Sequence, residues 1–212
     1  MRTNHKKLFQ EIHDRLFSVF GECSCPLIHK TPFQLLAAVM LSAQCRDERV
    51  NQVTEKLFSV APDAKKMAAL PVEEIEKIIH PCGLSVNKSK NLQAAAEILK
   101  NRYSGEVPQS MDELISLPGI GRKSANVILG NCFNIPGFPV DTHVKRVLNR
   151  VGVVKTQSPE KIESVVNSQI SPELWTNFSH LIIQHGRKVC HAGKPECTGC
   201  VLNDICLKKD IK

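Results

Sequence analysis

Four of the nine cysteines fall within the last 23 residues, in the spacing Cys190-x6-Cys197-x2-Cys200-x5-Cys206, and no other feature restricts the possible folds so tightly. Four thiolates within seventeen residues fit one tetrahedral metal ion or one cubane cluster, with the segment wrapped around it. The remaining five cysteines stand singly or as a close pair. In a secreted chain such a number would suggest disulfides; in a reducing compartment the crowding reads as metal ligation. The short Cys197 to Cys200 arm is a usual chelating spacing. On chemistry alone zinc is the generic occupant, and the x6 and x5 gaps exclude neither metal centre.

The opening stretch MRTNHKKLFQEIHDRL interrupts its apolar positions with charge every few residues, unlike a signal peptide. No stretch approaches the roughly 18 apolar residues that span a bilayer. The expectation is a soluble, cytoplasmic monomer with no membrane partner, nucleoid-associated if the source is bacterial. At 212 residues and 42% hydrophobic content the chain can build a substantial core, which argues against intrinsic disorder. Its net charge of +7 favours a polyanionic partner, because clustered Lys and Arg displace counterions condensed on phosphates.

Helix signals dominate between these ends. Thr31-Pro32-Phe33-Gln34 combines an N-cap, a first-turn proline and a capping-box glutamine ahead of LLAAVMLSA, predicting a helix over Pro32 to Ala43. Its apolar residues cover nearly every face, which places it at the centre of a bundle. Further starts stand at Pro71-Val72-Glu73-Glu74, Ser110-Met111-Asp112-Glu113, Ser158-Pro159-Glu160 and Ser171-Pro172-Glu173. Breaks stand at Pro81-Cys82-Gly83, Gly105 to Pro108 and Pro136 to Pro139. Period-2 alternation is scarce, so the fold class is all-α, with about ten short helices.

LPGIGRKSANVIL, Leu117 to Leu129, reads as two short helices joined by Pro118-Gly119-Ile120-Gly121. Glycines there permit positive φ and the close approach of another backbone. The amides of Gly119 and Gly121 would face outward at the N-terminus of the second helix, a site suited to one phosphate. The string resembles the helix-hairpin-helix motif, which grips the DNA backbone without reading sequence. Between Gly119 and Arg150 five basic residues face one acidic residue, as a phosphate-facing surface requires. Arg187, Lys188 and Lys194, beside and within the cysteine loop, suggest a second DNA-contacting surface held by the metal.

Lys123 follows the hairpin, and Asp141 lies in VDTH eighteen positions later. An amine attacks only in its neutral form, and a first-turn position opposes the ammonium through the helix dipole. A nearby Asp141 carboxylate would act in the other direction. Its suitable task is to stabilise positive charge developing on a sugar, or to accept a proton during attack. The plain alternative is a solvated lysine and an aspartate that caps the helix beginning at Thr142.

These elements, in this order, resemble the endonuclease III family of helix-hairpin-helix base excision glycosylases. The likeness runs over nearly the whole chain: LLAAVMLSAQ, CGLSVNKSKN, SGEVP, LPGIGRKSAN, VDTHVKRVLNR, HGRKVC and the cysteine tail. It implies that Lys123 is the nucleophile and Asp141 its partner. It also implies that Cys190, Cys197, Cys200 and Cys206 hold a 4Fe-4S cluster, reversing the preference for zinc. Family members flip the damaged nucleotide out and fill the gap, which by likeness assigns Gln44 to the vacated space and Leu84 to a wedge in the stack. The implied partner is double-stranded DNA containing oxidised pyrimidines or abasic sites, contacted also by Gly119, Gly121 and Lys194. The implied chemistry is base release followed by β-elimination through a lysine Schiff base.

The expected architecture is two helical lobes. Residues 25–134 would form a six-helix bundle with the hairpin, and 1–24 would join 135–212 in an iron-sulfur lobe. Two departures from this reading stay open: a monofunctional adenine-type relative, and a non-catalytic metal-stabilised DNA-binding module. The adenine-type enzymes carry an acid where this chain has Ala38 and no lysine at Lys123. The chain also reads Cys45-Arg46-Asp47 where the family usually has a small residue and then Thr before Asp. Arg46 adds charge there that could alter lesion preference.

Overall fold

A computed structural model describes residues 2–209, with side chains from His5 onward. The helices are α1 (Arg2–Phe20), α2 (Pro32–Leu41), α3 (Asp47–Val60), α4 (Ala64–Ala69), α5 (Val72–Ile79), α6 (Ser85–Arg102), α7 (Met111–Ile115), α8 (Arg122–Cys132), α9 (Thr142–Val151), α10 (Pro159–Gln169) and α11 (Trp175–Lys188). Two 3₁₀ turns, His80–Cys82 and Pro172–Leu174, complete the set, and there is no strand among the described residues. The architecture is all-α. No helix among the described residues is long and apolar enough to cross a membrane.

The chain forms two compact units. One is residues 25–135, and the other joins the described parts of 1–24 and 136–212. In the first unit α2 is the central element, buried from Phe33 to Leu41 and packed against α3, α6 and α8. Its start follows the sequence: Pro32 opens the first turn and Thr31 Oγ1 accepts from Gln34 N at 3.2 Å. The Gln34 amide reaches one residue farther back than a capping box requires, taking Lys30 N at 2.9 Å. The helix stops at Leu41, two residues before the predicted end, where Lys88 Nζ takes the carbonyls of Leu41 and Ala43. The signal at Ser171 opens a 3₁₀ turn before α11 rather than the α-helix itself.

In the second unit, Phe9, Ile12 and Leu16 of α1 meet Phe178 of α11, Phe138 and the inner face of α9, all fully buried. Phe9 and Phe178 pack edge to face, with ring centroids 6.4 Å apart at 79°. Gly186 lets α11 cross α9 closely: a Cβ there would lie 2.8 Å from His143 Cβ. Ser158 Oγ caps α10 by accepting from Lys161 N at 3.3 Å, as its sequence predicts.

Candidate functional site

The hairpin lies in the unit of residues 25–135, where α7 packs on α8. Gly119 has φ +79, a left-handed conformation that disfavours any Cβ, and an added Cβ would sit 3.1 Å from Met40 Cε and 3.2 Å from Asn91 Cβ. Gly119 therefore seats the turn on α2 and α6. Gly121 departs from expectation. As N-cap of α8 it has φ −103, within reach of any residue, and an added Cβ would meet open space. Lys123 is the second residue of α8 and is exposed.

Gln44 and Leu84 occupy the loops after α2 and before α6. Both are exposed, Leu84 at 56%, and both are left-handed, with φ 55 and φ 51. A non-glycine residue adopts that conformation only where its surroundings impose it. Arg46 is the N-cap of α3 and makes no side-chain cap. Ala38 is fully buried in the core of this unit.

One residue here escaped the sequence reading. Lys88, in the first turn of α6, is only 6% exposed, and its Nζ donates to Leu41 O at 2.9 Å, Ala43 O at 2.8 Å and Cys82 O at 2.9 Å. The available signal was a cation in a first turn, where the helix dipole opposes it. A local rule broken in this way points to a tertiary demand.

Asp141 lies in the other unit as N-cap of α9, and its Oδ1 accepts from Val144 N at 2.8 Å. The capping role that sequence offered as the plain alternative is thus realised, with Oδ2 outside that bond. The same helix supports the cysteine loop. Arg150, 6% exposed, donates to Cys190 Sγ at 3.4 Å, His191 O at 2.6 Å and Ala192 O at 2.8 Å. Arg146 donates to Cys190 O at 3.0 Å and Gly186 O at 2.8 Å.

Cys190, Cys197, Cys200 and Cys206 line one small, partly open cavity, together with Arg150, His185 and Leu202. Leu202 N donates to Cys200 Sγ at 3.4 Å and Lys208 N to Cys206 Sγ at 3.3 Å. His185 Nε2 lies 3.6 Å from Cys200 Sγ. Burial pushes the Cys200 and Cys206 thiols up, their amide partners pull them down, and the neighbouring cysteines push them up again. Thiolates gathered here therefore need a cationic centre to stay ionised. Among the described residues no group of three or more His, Cys, Asp or Glu side chains is drawn together as a single metal ion requires. Lys194 is exposed on the loop between Cys190 and Cys197, and Arg187 and Lys188 are exposed at the end of α11. Arg15 of α1 holds the segment between Cys200 and Cys206 through a two-pronged pair with Asp204 and a bond to Val201 O at 2.9 Å.

Residues 37–172 match the model of the HhH-GPD superfamily of base excision DNA repair proteins, a span that includes Lys123 and Asp141 and ends before the four cysteines. The chain is 47% identical over 205 residues to endonuclease III of Synechocystis sp. (strain ATCC 27184 / PCC 6803 / Kazusa), covering 96% of this chain and 94% of that one. Among solved structures it resembles a non-covalent endonuclease III–DNA complex with TM-score 0.92 at 40% identity, covering 96% and 95% of the two chains. It resembles a trapped endonuclease III–DNA covalent intermediate equally, at TM-score 0.92 and 40% identity over 96% of each chain.

Proposed function

Because this chain belongs to the endonuclease III family of HhH-GPD base excision DNA repair proteins, and is a DNA glycosylase with AP lyase activity, we propose that it acts on oxidised pyrimidines in duplex DNA through Lys123. The observation that carries the reading is the exposed amine of Lys123 at the start of α8, directly after the hairpin, in a chain so similar to a protein trapped covalently on DNA. The space beside Gly121 suits a phosphate at the α8 N-terminus, where backbone N–H groups and the helix dipole favour an anion. That contact would bring the damaged strand to Lys123.

The proposed sequence begins with extrusion of the lesion. Leu84 wedges into the stack and Gln44 fills the vacated space opposite the unpaired base, and weaker stacking of a damaged base lowers the cost. Lys123, in its neutral form, attacks C1′ of the sugar, and the N-glycosidic bond breaks as the base leaves. Loss of a proton and ring opening give the imine; β-elimination then breaks the bond to the 3′ phosphate. Asp141, with Oδ2 outside its cap, either stabilises the positive charge on the sugar or accepts the amine's proton. Lys194, Arg187 and Lys188 give the cysteine loop a basic edge for the DNA backbone.

We assign the four cysteines to a 4Fe-4S cluster rather than zinc. The likeness to endonuclease III chooses between them, and four cysteines lining one cavity supply the four thiolates that a cubane takes. The Arg150 guanidinium and two backbone amides supply the donors that thiolate sulfurs of such a centre require. The centre would order the loop or sense DNA, since base removal and β-elimination transfer no electrons. The reading includes a monomer acting in the cytoplasm, at the nucleoid in a bacterium. Ala38 gives no carboxylate to protonate adenine, so the adenine-type alternative lacks its acid.

The test is borohydride trapping on a duplex with one thymine glycol. A covalent protein–DNA band that vanishes in Lys123→Gln, with damaged-duplex binding retained, is the expected result. Trapping that survives in Lys123→Gln overturns the assignment, and tight binding with no band in the unaltered protein favours a monofunctional glycosylase or a binding module.

A further inference from the structure

The ammonium of Lys88 joins the two loops to which the wedge and gap-filling roles have been given. It carries three N–H donors and meets three carbonyls, so its hydrogen-bonding capacity is filled. Leu41 O ends α2, where carbonyls lack intrahelical partners, and Ala43 O lies two residues beyond it. Cys82 O ends the 3₁₀ turn before α6. From these anchor points the chain reaches the exposed side chains almost at once: Gln44 directly follows Ala43, and Leu84 lies two residues after Cys82. Both are the left-handed residues noted above, so each loop is held in a conformation it would not choose alone.

We infer that Lys88 is a positioning residue for base extrusion, a single buried ammonium that holds the Gln44 and Leu84 loops at one separation so that both side chains enter the duplex as a rigid pair. The inference rests on the wedge reading of those two residues. The geometry suits the task. Three bonds converge on one atom, so neither loop can move without lengthening a charge-assisted bond in a site nearly closed to water. An apolar residue here would leave three carbonyls without their shared donor and free the loops from each other. The Lys88 backbone N–H also donates to Leu84 O at 3.0 Å, a bond that a side-chain substitution leaves in place.

The experiment compares a reaction that needs extrusion with one that needs much less. Base release from a paired thymine glycol is measured in single turnover beside lyase cleavage of a preformed abasic site, which has no base to unstack. Misplacing reacting groups by about 1 Å costs roughly a hundredfold, so Lys88→Met should slow base release by about that factor. Its effect on abasic-site cleavage should be smaller by about tenfold or more. Because Lys88 acts through Leu84 and Gln44, Lys88→Met combined with Leu84→Ala should lose little beyond the larger single loss. Equal losses on both substrates, or fully additive losses in the double variant, would overturn the inference in favour of a general packing role. Should Lys88→Met fail to fold, Lys88→Arg takes its place under the same criteria, since a planar fork keeps the charge but cannot set three donors from one atom. The wedge reading is tested separately: if Leu84→Ala and Gln44→Ala release the paired base at the unaltered rate, that reading fails whatever the Lys88 variants do.

Discussion

Gly119 and Gly121 stand two residues apart in one hairpin, yet the structure gives them different tasks, and alanine at each should separate stability from DNA affinity. At Gly119 the left-handed φ of +79 costs alanine about 1–2 kcal/mol. The new Cβ, 3.1 Å from Met40 Cε and 3.2 Å from Asn91 Cβ, adds about 1 kcal/mol of overpacking. The smaller conformational freedom of unfolded alanine returns about 0.4–1 kcal/mol. Gly119→Ala should therefore lose about 2 kcal/mol, read as a lower midpoint in denaturant unfolding at unchanged slope. At Gly121 φ is ordinary and the space is open, so alanine costs only the poorer N-cap, about 1 kcal/mol or less. What Gly121→Ala should lose is affinity for duplex DNA at low salt, because its methyl occupies the place assigned to a phosphate. Equal stability for Gly119→Ala and the unaltered protein would refute the packing argument. Full DNA affinity in Gly121→Ala would refute the phosphate site.

Two further outcomes are expected. Arg46 makes no side-chain cap on α3, so Arg46→Thr, which restores a capping hydroxyl at an extended N-cap backbone, should raise stability by about 1 kcal/mol in the same unfolding assay. Burial holds His143 and His180 below the ordinary histidine value of 6.5. The unfolded chain then binds protons that the folded chain refuses, so stability should be flat above that value and decline as pH falls below it. Thermal melts from pH 8 to 5 would show this, and a melting temperature that rises on acidification would contradict it.

Much of the helical architecture could be read from short windows. Thr31, Ser158 and the prolines after them mark helix starts because a cap is a bond to an amide two or three residues away. The run that became α2 announced its burial by being apolar on every side. Lys123, Asp141 and the four cysteines were visible as residue types at suggestive spacings, with the likeness to a family choosing among their uses. Less was legible at the helix ends. The predicted extension of α2 to Ala43 missed that Lys88, 45 residues later, takes Ala43 O. Gly121, one of the two glycines read as permitting positive φ, has an ordinary φ. Arg150 was counted among basic residues facing phosphate, whereas it is buried and turned toward Cys190 Sγ and two carbonyls of the cysteine loop.

The sequence by itself determined the helical class, the points where helices begin, and the kinds of chemistry available, because each depends on side chains within about one helical turn of one another. Only the tertiary structure decided where α2 ends, which loops share one ammonium, and which arginine supports the cysteine cavity. Those outcomes depend on buried carbonyls and sulfurs finding donors from distant segments, and the pairing exists only once the core has excluded water and left each polar group a single set of partners.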